Sequence, residues 1–145
     1  MGVGLSRQRN FAEAIAHFQR ALVLKPSYDE AQGNWGVALA SLGDADAAVQ
    51  HFRLALAANP DNADAHVNWG NALVRAGHVI EAIVHYEAAL AIRPDDVDAH
   101  VTWGVALARD SRFGDAIEHF RRALAIYSTS TDAKRYLDRA VALNR

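Results

Sequence analysis

Apolar residues recur along the chain at three- and four-residue steps, interrupted by short polar turns. In the stretch 63–96, Ala65, Trp69, Ala72, Leu73 and Ala76 mark one apolar face of a helix. Asp61 or Asn62 stands where a side-chain oxygen can cap its first turn. Gly77 suits the left-handed turn that commonly ends a helix. A second stripe follows in Val79, Ala82, Ile83, Tyr86, Ala89 and Leu90. Pro94 lacks a backbone N–H and disfavours helix at Arg93, so the second helix stops there. The unit predicts two antiparallel helices, with Gly70, Ala82 and Ala89 allowing close backbone approach and Trp69 and Tyr86 filling the remaining volume.

The same pattern returns every 34 residues. Trp35, Trp69 and Trp103 keep that interval, as do Pro26, Pro60 and Pro94 and the histidines His17, His51, His85 and His119. Segments 63–96 and 97–130 align without a gap and agree at 16 of 34 positions. The register gives a single domain, 1–145, made of a truncated repeat 1–28, full repeats 29–62, 63–96 and 97–130, and a tail 131–145. The tail carries Ala133, Tyr136, Leu137, Ala140 and Val141 on one face and Lys134, Arg135, Asp138 and Arg139 on the other. It reads as the polar-backed capping helix that ends a stack of repeats. The predicted fold is all-α, a right-handed α-solenoid of antiparallel helix pairs.

Composition agrees. Of 145 residues, 51% are hydrophobic and 22% charged, enough to bury a core. Thirty are alanine, which favours close-packed helices over sheets. A net charge of −2 argues against a nucleic-acid partner held through a general basic surface. With no cysteine, disulfides, thiolate metal sites and cysteine nucleophiles are excluded. No apolar run approaches the ~20 residues of a membrane helix, and no signal-peptide stretch is present, so a cytoplasmic location without membrane insertion is expected.

The units resemble the tetratricopeptide repeat, whose 34-residue signature includes a glycine, then Ala-x3-Phe, then proline. The matching residues are Gly36, Gly70 and Gly104; Ala48/Phe52, Ala82/Tyr86 and Ala116/Phe120; and Pro26, Pro60 and Pro94, with Gly2 and Ala14/Phe18 in the truncated unit. Tryptophan occupies the usual leucine position, the family's early tryptophan is replaced by Gln32, His66 and His100, and the last unit has Ser111 and Ser128 for its turn glycine and proline. The resemblance implies a concave face lined by the first helix of each pair. Carried over position by position, the peptide-binding candidates are Asn34, Val37, Asn68, Asn71, Arg75, Val101, Thr102, Val105 and Arg109. Glu30, Asp64, Asp98 and Asp132 would form one rim, and Arg7, Arg75 and Arg109 the other. The carboxylate clamp of the chaperone-binding subset is absent, since Gly33, Val67 and Thr102 stand at its positions. The asparagines instead look like the amide ladder in the repeat region of O-linked N-acetylglucosamine transferases.

No catalytic chemistry is suggested. The serines lack a nucleophile elbow and the glycines belong to the packing pattern, so the chain reads as no enzyme and needs no cofactor. Histidines one repeat apart lie about 10 Å or more from each other, too far to share an ion at bond lengths of about 2.0–2.1 Å, so no metal is expected. The segment Met1–Ser6 formally fits a myristoylation pattern, but Gly2 is where the repeat places its glycine anyway. Residues 1–9 supply only the rear half of a first helix, leaving Phe11, Ile15, Phe18 and Leu22 as an apolar edge. That edge either pairs with a second copy, giving a homodimer, or is the frayed end of a longer array. The function expected is a scaffold binding a peptide or partner protein in the concave groove. The alternatives are the recognition region of a larger enzyme, such as a glycosyltransferase, and a self-assembling structural protein.

Overall fold

A computed structural model describes the backbone of residues 2–145 and the side chains of residues 10–145. All its regular elements are helices: α1 (Gly2–Leu24), α2 (Asp29–Leu42), α3 (Ala45–Ala58), α4 (Ala63–Arg75), α5 (Val79–Ile92), α6 (Val97–Arg109), α7 (Phe113–Ile126) and α8 (Thr131–Leu143). Three antiparallel pairs, α2/α3, α4/α5 and α6/α7, coincide with the repeats, and α8 lies against α7 and α6.

The helix ends follow from side chains named by the sequence. Asn62 caps α4, its Oδ1 accepting from the Ala65 N–H at 2.9 Å, and Asp44, Asp96 and Ser130 cap α3, α6 and α8 in the same way. Gly43 and Gly77 take left-handed φ values of 89° and 87° between the helices of a pair. Ser111 enters the left-handed region too, at φ 61°. Its backbone bonds, Ser111 N–H to Ala108 O and Arg112 N–H to Leu107 O, match those of the glycine turns. The missing glycine therefore leaves the turn intact. The missing proline does likewise: Ser130 N–H reaches Tyr127 O at 3.1 Å, as Asp96 N–H reaches Arg93 O at 3.2 Å.

One expectation fails. The truncated unit does not fold as a half-helix followed by a second helix; α1 runs unbroken through Arg9 and Asn10. The other units turn on Gly43, Gly77 or Ser111, whereas Arg9 stands at this position. A left-handed residue with a Cβ costs about 1–2 kcal/mol, and half a helix offers little packing in return. Met1 and the side chains of residues 2–6, which carry the lipidation pattern, and that of Arg7 lie outside the described residues.

Within each pair the helices meet at a glycine. A Cβ on Gly36, Gly70 or Gly104 would stand 2.6, 2.9 or 2.6 Å from the ring of Phe52, Tyr86 or Phe120. Those rings are fully buried. Between pairs, tryptophan makes the bridge. Trp69 lies between Phe52 of the preceding unit, at 6.4 Å, and His85 of its own, at 4.1 Å. Trp103 lies between Tyr86, at 6.1 Å, and His119, at 4.0 Å. These half-buried rings join the core clusters of adjacent units.

The first helices touch along the stack: α2 meets α4, α4 meets α6 and α6 meets α8. The second helices α3, α5 and α7 make no such contact with one another. The stack therefore curves, with first helices inside and second helices spread over the outside.

Candidate functional site

The inner surface carries the residues that the sequence singles out. Asn34 and Val37 are exposed on α2; Asn68 and Asn71 are half-buried on α4, with Arg75 exposed at its end. Val101, Thr102 and Val105 are half-buried on α6, with Arg109 exposed. The step of three or four residues that puts these positions on one helical face is the same step that turns Gly36, Gly70 and Gly104 toward the second helices.

The polar groups on this face are not equivalent. Asn34 and Asn68 make no side-chain hydrogen bond among the described residues, so both amides are free to meet a ligand. Thr102 turns its hydroxyl back onto its own helix, donating to Asp98 O at 2.7 Å. Asn71 accepts from the Tyr86 hydroxyl at 2.8 Å. Tyr86 is wholly buried, burial raises its pKa, and its hydroxyl needs a partner inside the protein. Asn71 therefore has a structural duty first, which fixes its oxygen and leaves its NH2 free to donate. Sequence reasoning placed Tyr86 in the core but missed its bond to Asn71, although a signal was present. Val37 faces the unit with Phe52 and Val105 the unit with Phe120; the unit with Asn71 has Tyr86.

The two edges of the face differ in charge. At the N-terminal ends of the first helices, a groove between α4 and α6 is lined by Asp64, Asp95, Asp96 and Asp98, with Arg93 across them. Arg93 pairs with Asp64 and, at 2.8 Å, with Asp96. Asp29 accepts from the side-chain amides of Asn59 and Asn62, both at 2.9 Å, which holds its carboxyl below the usual range and ties α2 to the turn that leads into α4. Such first-turn acids also suit the positive end of the helix dipole. At the opposite ends stand Arg75 and Arg109, with no ion pair among the described residues.

Away from this face, the histidines meet across the two helices of one unit, not along the ladder of repeats. His66 Nδ1 lies 3.2 Å from His85 Nδ1, and His100 Nδ1 lies 3.2 Å from His119 Nδ1. His100 Nε2 donates to Pro94 O at 3.1 Å, so its Nδ1 is the acceptor and His119 supplies the hydrogen. In the first full unit Gln32 replaces the first imidazole, its Oε1 standing 2.7 Å from His51 Nδ1. Burial, then the neighbouring imidazole, lowers His85 and His119 to about 4. Burial also lowers His51 and His66. His85 and His119 are thus neutral rings, each hydrogen-bonded to the imidazole across its pair. Among the described residues, no group of three or more His, Cys, Asp or Glu converges to hold a metal ion.

No helix among them is long and apolar enough to cross a membrane. Among solved structures, the chain is similar to the MamA protein, with TM-score 0.78, 19% identity, and coverage of 93% of this chain and 74% of that one. It is similar to a chain of the APC/C hetero-tetramer Cut9–Hcn1, with TM-score 0.81, 24% identity, and coverage of 91% of this chain and 27% of that one. The Arabidopsis OM64 TPR domain aligns with TM-score 0.72 at 24% identity, over 79% of this chain and 94% of that one. At these identities the likeness is one of fold. No curated protein matches the chain. The sequence profile of the tetratricopeptide repeat matches residues 1–63 and 67–131, nearly the whole stack, and the chain belongs to that family.

Proposed function

We propose that the chain is a non-catalytic, cytoplasmic interaction scaffold whose concave face holds an extended segment of a partner protein. Membership of the tetratricopeptide repeat family supports the scaffold role, since such repeats typically bind proteins and perform no chemistry. The observation that carries the finer reading is the unengaged pair Asn34 and Asn68, set on an inner surface of half-buried valines. An amide both donates and accepts, as a peptide group requires. An extended chain advances about 3.3–3.6 Å per residue, so one rung per repeat serves roughly every third residue. Val37, Val101 and Val105 add modest apolar burial, while Arg75 and Arg109 face the C-terminal edge. Residues 1–145 are read as one stack, with α8 lying against its last pair. Two or three hydrogen bonds at about 0.5–1.5 kcal/mol each, less the cost of ordering a segment, give micromolar or weaker affinity.

A pull-down followed by mass spectrometry supplies the partner, and calorimetry with its captured segment tests the site. Asn34→Ala plus Asn68→Ala should weaken binding by about tenfold, the worth of two modest hydrogen bonds. Asn71→Ala alone is a poor probe because it orphans the Tyr86 hydroxyl. Asn71→Val with Tyr86→Phe removes both partners, restores the pairing of the other units and isolates any contribution of Asn71 to binding. Unchanged affinity in both folded variants overturns the amide mechanism.

A homodimer through α1 is supported by one further feature. Phe11, Ile15, Phe18 and Leu22 are only half-buried, and Val23 and Leu24 are 81% and 87% exposed. Light scattering should show a concentration-dependent dimer that Phe11→Glu plus Ile15→Glu abolishes; a strictly monomeric mass refutes it.

A further inference from the structure

The inner surface ends, between α6, α7 and α8, in a cavity of about 360 Å³. Its wall is apolar and aromatic. Phe120 is buried and stacks on Tyr136 with ring centroids 5.7 Å apart; Phe113 stands beside them, and Leu143 borders the opening at 55% exposure. Arg109 from α6 and Arg139 from α8 complete the lining, which contains no carboxylate.

These two guanidinium groups line one cavity with no carboxylate beside them. Arg112 pairs with Asp115, Arg122 with Glu118 and Arg135 with Asp132, each with an acid one turn away. Arg109 and Arg139 make no ion pair among the described residues. The acids beside them in sequence, Asp110 and Asp138, are adjacent residues, and adjacent residues on a helix do not face each other. The helix dipole accounts for Arg109, in the last turn of α6. It does not account for Arg139, which precedes the last turn of α8. An unmatched pair of planar, fork-shaped cations over an aromatic floor has the chemistry of a carboxylate site. The volume lies at the small end of the about 300–1,000 Å³ typical of ligand pockets, the scale of one bulky side chain and not of a folded partner.

We propose that this cavity binds a carboxylate carried on an apolar or aromatic body, the carboxylate between Arg109 and Arg139 and the body against Phe113, Phe120 and Tyr136. The site shares Val105 and Arg109 with the inner surface but does not depend on the asparagine row. Two sources supply such a group: the C-terminal residue of a segment lying along the groove, and a free small acid.

Titration of the isotopically labelled full chain with N-acetylphenylalanine, followed by NMR, tests the assignment. The acid should shift the amides of Val105, Arg109, Tyr136 and Leu143 saturably, and N-acetylphenylalaninamide should bind about tenfold more weakly or worse, having lost the charge-assisted bonds. Arg109→Gln plus Arg139→Gln should bring the acid down to the level of the amide, with resonances elsewhere unmoved. Asn34→Ala plus Asn68→Ala should leave the acid's affinity unchanged, which separates this site from the peptide-backbone reading. A hexapeptide ending in phenylalanine with a free carboxylate that binds more tightly than N-acetylphenylalanine identifies the peptide source; equal affinity identifies the free acid. The proposal is overturned by the absence of saturable shifts at these residues, by equal binding of acid and amide, or by undiminished binding of the acid to the double glutamine variant.

Discussion

Two glycines three residues apart in α2 should respond to alanine with opposite sign. Replacing a helical glycine by alanine ordinarily stabilises by about 0.5–1 kcal/mol, because glycine loses more backbone freedom on folding. A Cβ on Gly33 would have nothing within 4 Å, so Gly33→Ala should gain that amount. A Cβ on Gly36 would stand 2.6 Å from Phe52 Cε1 and 2.8 Å from Cδ1. The Phe52 ring cannot swing aside freely: it is wholly buried, against Leu39, Ala40 and Trp69. Overpacking of this kind costs about 1–3 kcal/mol, which outweighs the propensity gain and leaves Gly36→Ala destabilising by up to about 2 kcal/mol. Because both sites lie in one helix, propensity cancels in the comparison and only the close approach differs. Urea denaturation of the two variants, read as the shift in midpoint at unchanged slope, measures it. A Gly36→Ala midpoint equal to or above that of Gly33→Ala refutes the claim that the first and second helices are locked at this contact.

The tryptophans should divide by their stacking. Trp69→Ala and Trp103→Ala each break a two-sided sandwich and should cost about 3 kcal/mol or more, whereas Trp35→Ala, whose ring stacks on His51 alone among the described aromatic pairs, should cost less by about 0.5–1.5 kcal/mol; urea melts of the three variants give the ranking. Acid should weaken the fold in the window set by the histidine pairs. His85 and His119 bind protons near pH 4 when folded and near 6.5 when unfolded, so the unfolded chain holds more protons between those values and stability falls as pH drops from about 6.5 to about 4. Asp29, held below its ordinary 3.8, acts only beneath that window. His66→Gln plus His100→Gln, which copies the Gln32–His51 arrangement, should flatten the profile in part because burial remains. A urea midpoint indifferent to pH over this range in the parent chain would refute the assignment.

Much of this molecule is legible in the sequence because its physics is local and repeated. Asn62, Gly77 and Pro94 mark helix ends through their own backbone chemistry, and 34-residue spacing carries those marks to every unit. The inner-face positions follow from helical periodicity once first and second helices are told apart. What escapes depends on contacts across a pair. Reading the histidines along the repeat separates them, yet His66 meets His85 because antiparallel helices bring residues 19 apart together. The Asn71–Tyr86 bond escaped in the same way, since each residue taken alone has an ordinary reading. The continuity of α1 turns on Arg9, where the left-handed residue of the other turns is missing. The Arg109–Arg139 cavity needs three helices to exist and leaves no trace in any one of them.

The uneven contact between the two layers has a mechanical consequence. First helices touch along the inside of the curve while second helices stand clear of one another outside, so the stack resembles a beam supported along one edge. Opening or closing the outer gaps changes no close backbone approach between second helices, whereas parting one unit from the next means prising Trp69 on α4 from Phe52 on α3 and Trp103 on α6 from Tyr86 on α5. Bending should therefore be soft and twisting apart stiff. A chain with that elasticity can adjust the radius of its inner surface to segments of different girth while keeping the spacing of its rungs constant, and under tension it should lengthen by flattening before any unit comes undone.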